Sequence, residues 1–175
     1  KMLNLRFLLN KGYTEALLNQ LTVLDLSKNQ IDSIDPKVFE ACPNLTELCL
    51  ENNKLTKLDP DTFRNTTKLS TLNLKKNQIV TIDAKAFHGC YNLEKLSLEE
   101  NKLTRLAAET FNQLTELTIL DLSNNQIDSI DPKLFEACPN LTELRLEKNK
   151  ITRLEPDTFK QFSKLIWLKL NNNQI

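Results

Sequence analysis

From Leu21 onward the chain repeats itself every 24 residues. Blocks begin at Leu21, Leu45, Leu69, Leu93, Leu117 and Leu141, and a seventh begins at Leu165 and has reached Ile175 where the sequence stops. Each block reads L-x-x-L-x-L-x-x-N-x-[IL]-x-x-[IL]-x-x-x-x-F and then five variable residues; residues 117–140, LTILDLSNNQIDSIDPKLFEACPN, are a clear copy. One such block cannot bury its own apolar face. A fixed period of this size therefore means stacked coils sharing one continuous core, a solenoid.

The chemistry of one block explains its pattern. Leu117, Leu120 and Leu122 sit around a short strand and point into the coil. Asn125 turns the chain, and its amide can satisfy both a backbone N–H and a C=O left free by the bend. The same residue recurs as Asn29, Asn53, Asn77, Asn101, Asn149 and Asn173. Ile127 and Ile130 fill the far side of the core. Asp131-Pro132 then predicts a helical or 3₁₀ start, because an acidic side chain caps free N–H groups and Pro suits the first helical position. Asp35-Pro36, Asp59-Pro60 and Glu155-Pro156 share that register, and Phe39, Phe63, Phe87, Phe111, Phe135 and Phe159 make a matching column. Asn124, one residue before a ladder Asn, is expected to face outward and to matter little.

These residues resemble the leucine-rich repeat family, in its typical 24-residue class, as found in Toll-like receptors and small leucine-rich proteoglycans. The resemblance implies an α/β solenoid: a right-handed horseshoe with a parallel sheet on the concave face and short helical or irregular segments on the convex face. It implies a protein-binding module in an extracellular or secreted setting. Extracellular relatives usually close the first coil with a cysteine cluster, which residues 1–20 do not have, and free cysteines would suit the cytosol. Compartment therefore stays open.

The cysteines are placed by the repeat. Cys42, Cys90 and Cys138 occupy the position three after Phe, where other blocks have Leu114, Phe162 and Thr66. That is a core position, and coils two apart stand about 10 Å from each other, too far for a disulfide. Cys49 lies between two leucines and is expected to face solvent. No disulfide and no zinc site are expected, since no pair has ligand spacing. Lys plus Arg and Asp plus Glu both number 23, giving zero formal charge, which argues against nucleic acid as the main partner. No apolar run approaches the ~18 residues of a membrane span. With 2 Gly there is no Gly-rich phosphate loop, and no cofactor is expected.

Residues 1–20 depart from the consensus and are expected to be a degenerate first repeat or cap, with Leu3 and Leu5 on an L-x-L strand and residues 14–19 as a short helix. The solenoid then occupies residues 21–175. Residues 24–63 match residues 120–159 at 33 of 40 positions, as duplication of a four-block unit or reuse of a designed module would produce. The last strand, residues 165–170, should be an open edge, for which a longer parent chain is the simple explanation.

No enzyme motif is present. His88, the only histidine, falls on a variable convex loop and is expected to be a solvent-exposed loop residue, and Glu99-Glu100 matches Lys75-Lys76 in a neighbouring block, the mark of a solvated face. Three sequons, at Asn44, Asn65 and Asn140, are what chance gives in so Asn-rich a chain. The informative surface is the sheet face. Its outward columns are Val23, Glu47, Thr71, Lys95, Ile119, Glu143 and Trp167; then Asp25, Cys49, Asn73, Ser97, Asp121, Arg145 and Lys169; then Ser27, Glu51, Lys75, Glu99, Ser123, Glu147 and Asn171. The only Trp falls beside Arg145, Lys169 and Glu143, with Ile119, Asp121 and Lys95 in the same rows. Trp and Arg are favoured binding anchors. The expected site is thus Trp167, Arg145, Lys169, Glu143, Ile119, Asp121 and Lys95, bound by a protein partner, in a non-enzymatic recognition module. Two other readings fit: a targeting segment of a larger enzyme or secreted effector, and a designed scaffold without a natural ligand.

Overall fold

The computed structural model describes residues 1–175. In chain order its elements are β1 (Met2–Leu3), α1 (Leu5–Asn10), α2 (Glu15–Gln20), β2 (Val23–Asp25), β3 (Ser33–Ile34), a 3₁₀ helix (Pro36–Ala41), β4 (Glu47–Cys49), β5 (Lys57–Leu58), β6 (Thr71–Asn73), β7 (Thr81–Ile82), β8 (Lys95–Ser97), β9 (Ile119–Asp121), β10 (Glu143–Arg145) and β11 (Trp167–Lys169). The L-x-L motif of every coil supplies one strand of a seven-stranded parallel sheet, ordered β11-β10-β9-β8-β6-β4-β2. Each residue stands opposite the one 24 positions on, as Glu47 opposite Thr71 and Thr71 opposite Lys95. Two further parallel pairs, β1 with β3 and β5 with β7, run on the other side of the coils.

Period-2 alternation along each strand sends the leucines inward, and Leu48, Leu72, Leu96, Leu120 and Leu144 are buried. Behind them Phe39, Phe63, Phe87, Phe111 and Phe135 are fully buried in one file. Successive rings lie 6.0, 6.0, 6.2, 6.4 and 6.5 Å apart, ending at Phe159, and the angles between them alternate: 33°, 7°, 33°, 8° and 32°. The sequence alternates with them. Thr62, Thr110 and Thr158 precede Phe in every second coil, and Cys42, Cys90 and Cys138 mark the others. The structural unit is therefore a pair of coils.

The Asn column is a set of bolts between coils. Asn101 Oδ1 accepts the Ile79 N–H at 3.0 Å, and its Nδ2 donates to Leu74 O at 3.1 Å and Leu98 O at 3.0 Å. Asn53, Asn77, Asn125, Asn149 and Asn173 repeat this, each reaching one coil back. The residue before each ladder Asn departs from expectation. Lys28, Asn52, Lys76, Glu100, Asn124, Lys148 and Asn172 all take φ between 53° and 58°, a left-handed conformation that ordinary side chains resist. Asn124 is thus a backbone corner, not a neutral surface position.

The Leu3–Leu5 strand, the repeated 3₁₀ start and the solvent-facing Cys49 are revised, whereas the helix near residues 14–19 and the buried thiols hold. Leu3 lies in β1, but that strand pairs with β3 and stays out of the large sheet, while Leu5 opens α1, where the Asn4 side chain caps the Phe7 N–H at 2.8 Å. Thr14 caps α2 through the Leu17 N–H at 3.1 Å, and Leu8 and Leu18 of the two helices are fully buried. Only Asp35-Pro36 opens a regular 3₁₀ helix; the other coils cross the convex side in linked turns, although Asp131 and Asp83 still cap the N–H groups of Lys133 and Lys85 at 2.8 Å. A single turn ends before helical propagation can offset the cost of nucleation. Cys42, Cys90 and Cys138 are buried free thiols and Cys49 is half-buried.

Candidate functional site

Side chains flanking the leucines project from the large sheet, and strict register sets them in rows. Trp167 stands opposite Glu143, then Ile119, then Lys95; Lys169 stands opposite Arg145, then Asp121, then Ser97. Trp167 is 51% exposed, and Lys169 Nζ lies 4.7 Å from the centre of its ring, a cation–π contact. Ile166 beside it is 88% exposed. Leu144 and Leu146 of the preceding coil are fully buried, whereas Leu168 of the last coil is partly exposed.

Arg145 is already engaged. Its Nε donates to Glu143 and its Nη1 to Asp121 Oδ2 at 3.3 Å. Asp121 is buried and also accepts from the Ser123 N–H at 3.0 Å and the Ser123 hydroxyl at 2.6 Å. Burial alone would lower the Arg145 pKa, but the Glu143 and Asp121 carboxylates outweigh it and raise it. The guanidinium is held in one place, with its remaining N–H groups available.

A shallow depression of about 270 Å³ crosses the sheet from β6 to β10. It gathers Lys95, Ile119, Asp121 and Arg145 of the expected residues, and leaves Trp167, Lys169 and Glu143 outside. It adds Thr71, Asn73, Ser97 and Glu99, which polar columns of ordinary composition did not single out. Lys75 Nζ pairs with Glu99 at 2.9 Å, and the Glu99 hydrogen bond raises the Lys75 pKa. Glu99 is therefore half of a partly buried inter-coil ion pair, not simply a solvated acid. His88 is likewise only half-exposed and reaches Asp61 of the preceding coil at 3.5 Å. Next to it Gly89 has φ +95°, and a Cβ there would lie 2.3 Å from Arg64 O.

No three His, Cys, Asp or Glu side chains are grouped to hold a metal ion. No helix is long and apolar enough to cross a membrane. The array offers fixed charges, one exposed aromatic and a rigid floor: equipment for recognition.

Known proteins point the same way. A family profile described as "Leucine rich repeat" matches residues 19–79, 43–103, 67–127, 91–151 and 115–175. The human protein "Leucine-rich repeats and immunoglobulin-like domains protein 3" is 43% identical over 53 residues, 30% of this chain and 5% of that protein. A solved TLR13–ssRNA13 complex aligns with TM-score 0.84 and 31% identity over 91% of this chain and 23% of that one. The Toll–Spatzle complex, described as a hub in Drosophila development and innate immunity, aligns with TM-score 0.84 and 31% identity over 90% of this chain and 21% of that one. The LRIM1/APL1C complex aligns with TM-score 0.70 and 29% identity over 79% of this chain and 26% of that one. This chain thus spans less than a third of each of these relatives.

Proposed function

Because this chain belongs to the leucine-rich repeat family, we propose that it is a non-enzymatic recognition module that holds a protein partner against its sheet face. The observation that carries this reading is the patch around Trp167: a half-exposed indole under Lys169, next to the Arg145 guanidinium locked by Glu143 and Asp121. An aromatic and a pre-oriented guanidinium beside an aliphatic Ile119 have the composition of a hot spot within a polar rim. Lys95 and Asp121 extend the footprint along the two rows. Residues 1–20 act as the cap of the solenoid, covering the first coil through Leu8 and Leu18.

The neighbours include a complex with RNA as well as complexes between proteins. A protein partner is favoured here because the chain has zero formal charge, whereas neutralising a phosphate backbone takes a surplus of Lys and Arg.

The test is partner capture by the protein, followed by substitution. Trp167→Ala and Arg145→Ala should each weaken binding by about 2 kcal/mol or more, while Lys85→Ala on the convex side should change it little. Binding untouched by both sheet-face changes would place the recognition surface elsewhere.

A further inference from the structure

The charges of the sheet face are not evenly paired. Its three outward columns hold seven carboxylates and four cations. Arg145 is matched internally by Glu143 and Asp121, and Lys75 by Glu99. Lys169 is spent over the Trp167 ring. What remains is separated along the stack. Lys95, exposed at the depression, forms no ion pair, and neither does Glu47 on β4 or Asp25 on β2; Asp25 feels Lys28 and Glu51 feels Lys75, while Glu147 stands apart beyond Arg145. Between them β6 is neutral, with Thr71 and Asn73.

Resting on the reading of the sheet face as the recognition surface, we propose that its partner presents an extended peptide segment lying across the strands, with a carboxylate side chain on Lys95 and a basic side chain three residues away on Glu47 and Asp25. The spacing follows from the sheet. Lys95 and Glu47 are in one row two strands apart, about 10 Å, and an extended segment in the polyproline II conformation, rising about 3.1 Å per residue with three residues per turn, covers that in about three residues and brings both side chains to one face. The floor between them suits such a segment. The Thr71 and Ser97 hydroxyls make no hydrogen bond within the protein, and Ile119 offers apolar contact at the far wall of the depression. Cys49 reports the acid field at the other end: burial first, then Asp25 and Glu51, push its thiol up. A basic side chain docked there would meet the exposed Glu47 carboxylate, which holds no ion pair within the protein.

The probe is the synthetic peptide Gly-Ser-Glu-Val-Thr-Arg-Ser-Gly, titrated into the protein at low ionic strength and followed by backbone amide chemical shifts. A Gln-Val-Thr-Gln version is the uncharged control. The charged peptide should bind about fivefold more tightly than the control, with shifts centred on Lys95, Thr71 and Glu47. Lys95→Glu or Glu47→Lys alone should weaken it about fivefold. The double variant Lys95→Glu/Glu47→Lys should return to within about twofold of the parent, because the free peptide can lie in either direction. Both side chains are exposed, so none of these changes threatens folding. Equal binding of the two peptides, or a double variant no better than the weaker single one, overturns the proposal. If that happens while Trp167→Ala still abolishes capture of the protein partner, this inference alone fails. Shifts confined to the convex side, near Lys85 and His88, would remove both readings.

Discussion

Asn101 Oδ1 accepts the backbone N–H of Ile79, one coil back, at 3.0 Å, so the turn of one coil is closed by a side chain of the next. Asn101→Ala would leave that N–H without a partner and take one of two amide donors from each of the Leu74 and Leu98 carbonyls, which keep Asn77 and Asn125. At ~1–3 kcal/mol for one buried unsatisfied donor, with two carbonyl bonds lost besides, the cost should reach about 2 kcal/mol or more in denaturant melts. Lys102→Ala, exposed and next in sequence, should change stability by less than about 0.5 kcal/mol.

Lys76 has φ 53°, and its side chain makes no ion pair of its own. Glycine enters that region without a Cβ clash. Lys76→Gly should therefore be neutral to stabilising, by up to about 1 kcal/mol, and Lys76→Val should cost more than about 1 kcal/mol. A Val variant as stable as the parent would contradict the left-handed corner.

The two glycines separate conformational from steric cost. Gly12 (φ +93°) has no atom within 4 Å of an added Cβ, whereas at Gly89 (φ +95°) that Cβ would meet the Arg64 backbone. Thermal melts should show Gly12→Ala losing about 1 kcal/mol and Gly89→Ala at least about 2 kcal/mol.

Burial pushes the thiols of Cys42 and Cys90 up to about 11 and that of Cys138 to about 12. A folded-state pKa above the unfolded value of 9.0 means these groups favour folding fully below pH 9 and lose that contribution as pH rises toward 11 and 12. Urea midpoints should fall in that alkaline window, less so in a Cys90→Ala/Cys138→Ala variant. In native protein Cys49 should be alkylated before the other three, though slowly at neutral pH because its own thiol is raised. Rapid native labelling of Cys138 would contradict its place in the core.

Most of the frame was legible because residue identity is periodic where packing demands it. The Asn bolts, the Phe file and the inward leucines each need one side-chain type every 24 residues, so they appear as columns. The left-handed corner was hidden because the demand there falls on the backbone: Lys28, Asn52, Lys76 and Glu100 share a φ and no chemistry. Leu5 misled because an apolar residue two after Leu3 reads as a strand, while the Asn4 cap commits it to a helix. For the candidate surface, the sequence shows which residues face outward. It does not show which are spoken for. That Arg145 is clasped by Asp121, 24 residues earlier, is a fact of register and rotamer together.

The alternating Phe angles set a rule for how this molecule can change length. Removing 24 residues would seat two coils of the same kind against each other, bringing Cys against Cys or Thr against Thr along the file. Excising residues 69–116, a full 48, would join the second coil to the fifth and leave every packing neighbour of the kind it has now. Growth or loss of this solenoid should therefore be quantised in pairs, and a variant shortened by one coil should be the frustrated one.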